Sequence, residues 1–119
     1  MTKDEIMKLE AGRKLDALVA EKVMHISNVH LHDFGNAGLY LRMNEPAALS
    51  NISVPRYSTD ISDAWKVVDY LAEGLILDLY NTIRGWRCDI DGKGETFSGK
   101  AETAPLAICR AALLVVRPP

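Results

Sequence analysis

Apolar residues recur near the helical period along TKDEIMKLEAGRKLDALVAEKVM (2–24), at Ile6, Leu9, Leu15, Leu18, Val19 and Val23, with Ala11, Gly12 and Ala20 as small members. The spacing predicts one continuous helix. Thr2 stands at its N-cap and Glu5 three positions on, the spacing of a capping box. Gly12 in a helix interior costs about 1 kcal/mol relative to Ala, so a glycine here points to close approach of another backbone or of a ligand. A second stripe, Ile61, Ala64, Trp65, Val68 and Leu71 or Ala72, predicts a helix in STDISDAWKVVDYLAEG (58–74), with Lys66, Asp69 and Glu73 off the stripe and Gly74 as the stop. On this pattern Trp65 belongs to the core, and Trp86 likewise. A third helix is expected in TAPLAICRAALLVV (103–116), with Thr103 as N-cap and Pro105 in the first turn. It is apolar nearly all round, with Arg110 as its one internal charge, so it should be deeply buried.

Between the second and third helices the period changes to two. Leu75, Leu77 and Leu79 alternate with Ile76, Asp78 and Tyr80, and Trp86, Cys88 and Ile90 alternate with Arg87, Asp89 and Asp91. DGKG (91–94) is a hairpin turn. Strands over 75–83, 86–91 and 95–101 should therefore form an antiparallel meander. Residues 25–57 read as a long connection or a hairpin insertion, with HISNVHLH and GLYLRM as its arms and Pro46 and Pro55 in the return. The expected fold is α+β: one domain over 1–119, with three helices packed on an antiparallel sheet of about three to five strands in an αβα-type sandwich.

Composition adds exclusions. The chain has 119 residues, 48% hydrophobic and 25% charged, with a net charge of −2. That is long enough for a hydrophobic core without a metal or disulfide staple. Charges of both signs are mixed, which speaks against a nucleic-acid binder, since phosphate neutralisation needs a concentrated basic face. No apolar run approaches the roughly 20 residues needed to span a membrane. MTKDEIMKLE lacks a signal-peptide apolar region, so a cytosolic protein is expected. Cys88 and Cys109 have neither metal-like spacing nor a disulfide framework and read as reduced core residues.

Residues suited to catalysis are sparse. His30 and His32 would share a face of a strand and could chelate, with His25 and Asp33 nearby, but no signature frames them. Asp89 and Asp91 share a polar strand face, where a solvated surface explains them. No phosphate-binding loop, dinucleotide fingerprint or nucleophile elbow is present. A non-enzymatic protein without cofactor is expected.

Binding is better motivated. In RYSTD (56–60), Arg56 could pair with a phosphate and Tyr57 could stack on a base. The hydroxyls of Ser58 and Thr59, with the first N–H groups of the following helix, could cradle anionic oxygens. Asp60 could accept from sugar hydroxyls. The same stretch also serves as a helix cap, with Asp63 favoured by the helix dipole. Arg13 and Arg110, on otherwise small or apolar helix surfaces, need a carboxylate, a carbonyl or a bound anion. Asp16 and Glu102 are candidate carboxylate partners.

LEAGRKLDALVAEKVM (9–24), PRYSTDISDAWKVVDYL (55–71), WRCDI (86–90) and AETAPLAICRAALL (101–114), in that order, resemble the small phage-encoded proteins of the phage ABA-sandwich domain family. TAPLAICRAALL is the most specific of these stretches. Residues 25–54, with the three histidines, depart from the short members, and nothing is carried over to them. The resemblance implies a phage or prophage origin and a compact αβα-type fold, and it supplies no catalytic residues. It also implies a function: sequestering a nucleotide immune signal, such as a cyclic ADP-ribose derivative, in the host cytoplasm to block anti-phage defence. A homo-oligomer is expected, because symmetric interfaces supply clefts that a small monomer lacks. The alternatives are a protein–protein inhibitor of a host defence protein and a small hydrolase.

Overall fold

In chain order the elements are α1 (Lys3–Met7), α2 (Arg13–Lys22), β1 (His30–Asp33), β2 (Leu39–Arg42), α3 (Ile61–Leu71), β3 (Ile76–Thr82), β4 (Gly85–Gly92), β5 (Glu95–Ala101) and α4 (Ala104–Val116). This computed structural model describes residues 1–26, 30–33, 39–42, 54–71, 73–92 and 94–117, with β1 and β2 described by their backbone alone.

The alternating stretches pair as predicted. β3, β4 and β5 form an antiparallel sheet in sequence order, with Leu79 opposite Cys88 and Cys88 opposite Gly99. Leu77, Leu79, Trp86, Cys88, Ile90 and Phe97 point to one face and join the core. Ile76, Asp78, Tyr80, Arg87, Asp89, Asp91, Ser98 and Lys100 occupy the other. β1 and β2 pair antiparallel, His30 opposite Arg42, as the hairpin arms in the 25–57 insertion, and pack near α2.

α4 lies directly on the apolar sheet face, and α1, α2 and α3 pack on α4. Covered on both sides, α4 buries ten of its residues. Its approach to the sheet is close because Gly99 faces Ala107 and Ala111. A Cβ built on Gly99 would overlap the Ala107 carbonyl and the Ala111 backbone. Ala104, Ala107 and Ala111 recur at helical spacing, so the small residues of TAPLAICRAALL fit this contact.

Among the described residues there are four helices where the pattern predicts three. The capping box at Thr2 and Glu5 forms, with Glu5 N–H donating to Thr2 Oγ1 at 3.2 Å and Thr2 N–H to Glu5 Oε1 at 3.4 Å. The helix it starts ends at Met7, and a new one starts after Gly12, whose φ of +150° and ψ of −175° are closed to side-chain-bearing residues. No atom crowds the place of a Cβ on Gly12, so backbone conformation rather than close approach calls for the glycine. Arg110 secures the linker: its Nη2 donates to the Leu9 carbonyl at 2.8 Å and its Nη1 to the Lys100 carbonyl at 2.6 Å. These carbonyls are the partners its apolar setting demands.

Candidate ligand site at the start of α3

Residues 54–60 cross the N-terminus of α2 before entering α3, and a buried polar network fixes the crossing. Asp16 is fully buried. Its Oδ2 accepts from Arg13 Nη1 at 2.7 Å, and its Oδ1 accepts from the Ser58 N–H at 2.8 Å and the Ser58 hydroxyl at 2.6 Å. Ser58 Oγ also accepts from the Gly12 N–H at 2.9 Å. Arg13 Nη2 donates to the Val54 carbonyl at 2.6 Å. A buried charge is tolerated only when paired and hydrogen-bonded, and both Asp16 oxygens meet that condition. The network joins residues more than forty positions apart in the chain and holds the front of α3 in place.

The seven candidate ligand contacts therefore fall into distinct settings. Arg13 pairs with Asp16, the carboxylate named from sequence, and Arg110 serves the Leu9 and Lys100 carbonyls. Ser58 is enclosed in the Asp16 network. Tyr57 is 2% exposed and packs in the core, where burial, with Asp63 and Asp16 adding to it, pushes its phenol up to about 12. Arg56, Thr59 and Asp60 keep exposed side chains.

The helix start carries its own anions. Thr59 and Asp60 N–H groups donate back to the Arg56 carbonyl, closing a turn. Asp60 Oδ1 caps α3 by accepting from the Asp63 N–H at 3.1 Å. Asp63 Oδ2 accepts from the Arg56 N–H at 2.8 Å, and its Oδ1 pairs with Lys66 at 3.0 Å. Partial burial pushes the Asp63 carboxyl up, but the Arg56 N–H and Lys66 outweigh it and hold the group below the usual carboxylate range. Two carboxylates thus answer the helix dipole, and Arg56 keeps an exposed side chain that forms no ion pair among the described residues.

Trp65 and Ile61 are residues of the predicted α3 stripe that the structure turns outward. Ala64, Val67 and Val68 are buried, whereas Trp65 is 45% and Ile61 47% exposed. Three core positions at 64, 67 and 68 turn the helix so that Trp65 faces outward. With Ile61 and Ser62 it lines an open hollow of about 470 Å³ on the first turns of α3. The signal was present in Val67, which completes an i, i+3, i+4 stripe from Ala64 and leaves Trp65 beside it.

Other chemistry is set aside by its surroundings. Burial, with Asp89 and Asp78 adding to it, pushes the Cys88 thiol up to about 12; burial likewise raises Cys109. Both thiols are buried and neither is a ready nucleophile. On the open sheet face, Asp89 accepts from Arg87 Nε at 2.9 Å, Ser98 Oγ at 2.6 Å and Tyr80 Oη at 2.8 Å. It is a hydrogen-bonded surface ladder, not a carboxylate pair. Among the described residues no three His, Cys, Asp or Glu side chains could hold a metal ion, and no helix is long and apolar enough to cross a membrane. The imidazoles of His30 and His32 lie outside the described residues.

The family model of the phage ABA sandwich domain matches residues 17–113, from within α2 to near the end of α4. The chain belongs to the phage ABA sandwich domain family. The matched span contains α3, the meander and the small-residue contact of α4 with β5; α1, Gly12 and the Arg13–Asp16 pair precede it. A crystal structure of a phage protein from Bacillus cereus ATCC 14579 is similar over 89% of this chain and 92% of that one, with 24% identity and a TM-score of 0.69. That likeness concerns the fold. No curated protein matches this phage ABA sandwich chain.

Proposed function

We propose that this phage ABA sandwich protein is a ligand-binding protein that sequesters a nucleotide-like immune signal, of the cyclic ADP-ribose type, at the start of α3. The observation that carries the reading is Trp65: a large aromatic ring turned to solvent beside an open hollow, on a helix with buried residues available to it on the other side. Exposed aromatic rings stack on nucleobases, with about 1–3 kcal/mol per base. Arg56 supplies a bidentate phosphate partner, Thr59 a hydroxyl, and Asp60 Oδ2 an acceptor for sugar hydroxyls. Tyr57 and Ser58 act beneath the site, holding its backbone. The hollow is open, and a second copy of the chain would supply the missing wall, which is the reason for proposing a homo-oligomer.

A second reading, masking of a host defence protein, draws on Ile83, 95% exposed at the β3–β4 turn, and Ile76, 68% exposed on β3. Apolar side chains at such positions suit a protein interface.

One experiment separates the readings. The purified protein is incubated with cyclic ADP-ribose-type nucleotides, washed, denatured by heat, and the released material identified by mass spectrometry. Intact nucleotide is the expected result. Altered nucleotide would point to hydrolysis, and no retained nucleotide would remove the sequestration reading.

A further inference from the structure

A second hollow, of about 300 Å³, lies between α1, α2 and α4, away from α3. Its wall is apolar: Met1 ahead of α1, Ile6 from α1, Leu18 from α2, and Leu113 and Val116 from α4. Ile6 and Leu113 are buried, while Leu18 and Val116 are half-buried. Two cations join the lining, Lys22 from the last turn of α2 and Arg117 from the end of α4. Both side chains are exposed, and neither forms an ion pair with a carboxylate among the described residues. The dipoles of the two helix ends favour cations there, which accounts for the charges but leaves the open apolar wall unexplained.

We infer that this hollow binds a single-chain anionic amphiphile, a free carboxylate with a short alkyl tail. The tail would cover Ile6, Leu18, Leu113 and Val116, at about 25 cal/mol per Å² of apolar surface removed from water. The head group would meet Lys22 and Arg117 in charge-assisted hydrogen bonds. The volume is at the small end of ligand sites, which run from about 300 to 1,000 Å³, so the tail is short. Neither Trp65 nor Arg56 takes part, and the inference is independent of the nucleotide site.

The test is calorimetric titration with decanoate below its micellar concentration, beside decanol as the uncharged tail and acetate as the head group alone. Saturable decanoate binding is expected, with decanol weaker by about tenfold or more through loss of a charged hydrogen bond, and acetate weaker by about tenfold or more through loss of the tail's apolar burial. Leu18→Trp, which fills the hollow from a half-buried position, should abolish binding, and Lys22→Gln with Arg117→Gln should reduce decanoate to the level of decanol. Melting curves verify that each variant folds, and the comparison of the three probes on the unaltered protein stands without them. Absence of saturable decanoate binding, equal binding of decanol, or association with phosphatidylglycerol vesicles without decanoate binding would each overturn the inference.

Discussion

Asp16→Ala lowers the unfolding free energy by about 3–5 kcal/mol, the usual effect of removing one partner from a buried ion pair. Three hydrogen bonds end on this carboxylate, and the Arg13 guanidinium beside it is 10% exposed. Removing Asp16 withdraws the negative charge from that guanidinium and takes an acceptor from both the backbone and the hydroxyl of Ser58. The path of residues 54–58 over α2 would loosen with it. Denaturant unfolding measures the effect. The control is Lys66→Ala, which breaks the Lys66–Asp63 pair where the lysine is 57% exposed. Pairs of that kind contribute about 0–1 kcal/mol. Equal losses for the two variants would show that the Asp16 network does not organise the start of α3.

Gly99→Ala is expected to cost about 3 kcal/mol or more. Overpacking a core costs about 1–3 kcal/mol when side chains can adjust. Here the added methyl meets the Ala107 carbonyl and the backbone of Ala111, so α4 itself must move off the sheet. Since α4 separates the sheet from α1, α2 and α3, its displacement disturbs every layer. Gly94→Ala is the comparison. Gly94 has φ +78° but nothing within 4 Å of a Cβ, so it carries only the strain of a left-handed backbone, about 1–2 kcal/mol. If the two substitutions cost the same, close packing of α4 on β5 is not what requires Gly99.

The features legible in the sequence are those set by local chemistry. Alternation located β3 and β4 and the faces of Cys88 and Arg87, and the DGKG turn placed β5 after them. The Thr2–Glu5 spacing located the first cap, and the apolar surface of 104–116 foretold a helix enclosed on both sides. Gly12 was visible, but its reason was not. Apolar periodicity continues across it, and the break depends on a backbone conformation held by Ser58, 46 residues away. The same distance hid the setting of Tyr57 and Ser58. Their residue types suit a ligand as well as they suit a core, and only the fold shows that Asp16 engages Ser58. Trp65 was hidden by a one-position rotation of the α3 stripe: a tryptophan beside the stripe and one upon it differ by about 100° of helix. The candidate site is thus narrower at its front and extends further along α3 than the string RYSTD suggests, with Arg56, Thr59 and Asp60 at one end and Trp65 at the other.

That account makes Trp65 and Arg56 recognition residues on a surface whose stability does not depend on them. The most direct measurement is isothermal titration of a cyclic ADP-ribose-type nucleotide into the unaltered protein, Trp65→Ala and Arg56→Ala, with a melting curve for each. The account predicts binding by the unaltered protein, affinity at least tenfold weaker in both variants for losses of 1.4 kcal/mol or more, and melting temperatures close to that of the parent. Unchanged affinity in Trp65→Ala, with the protein folded, would contradict it.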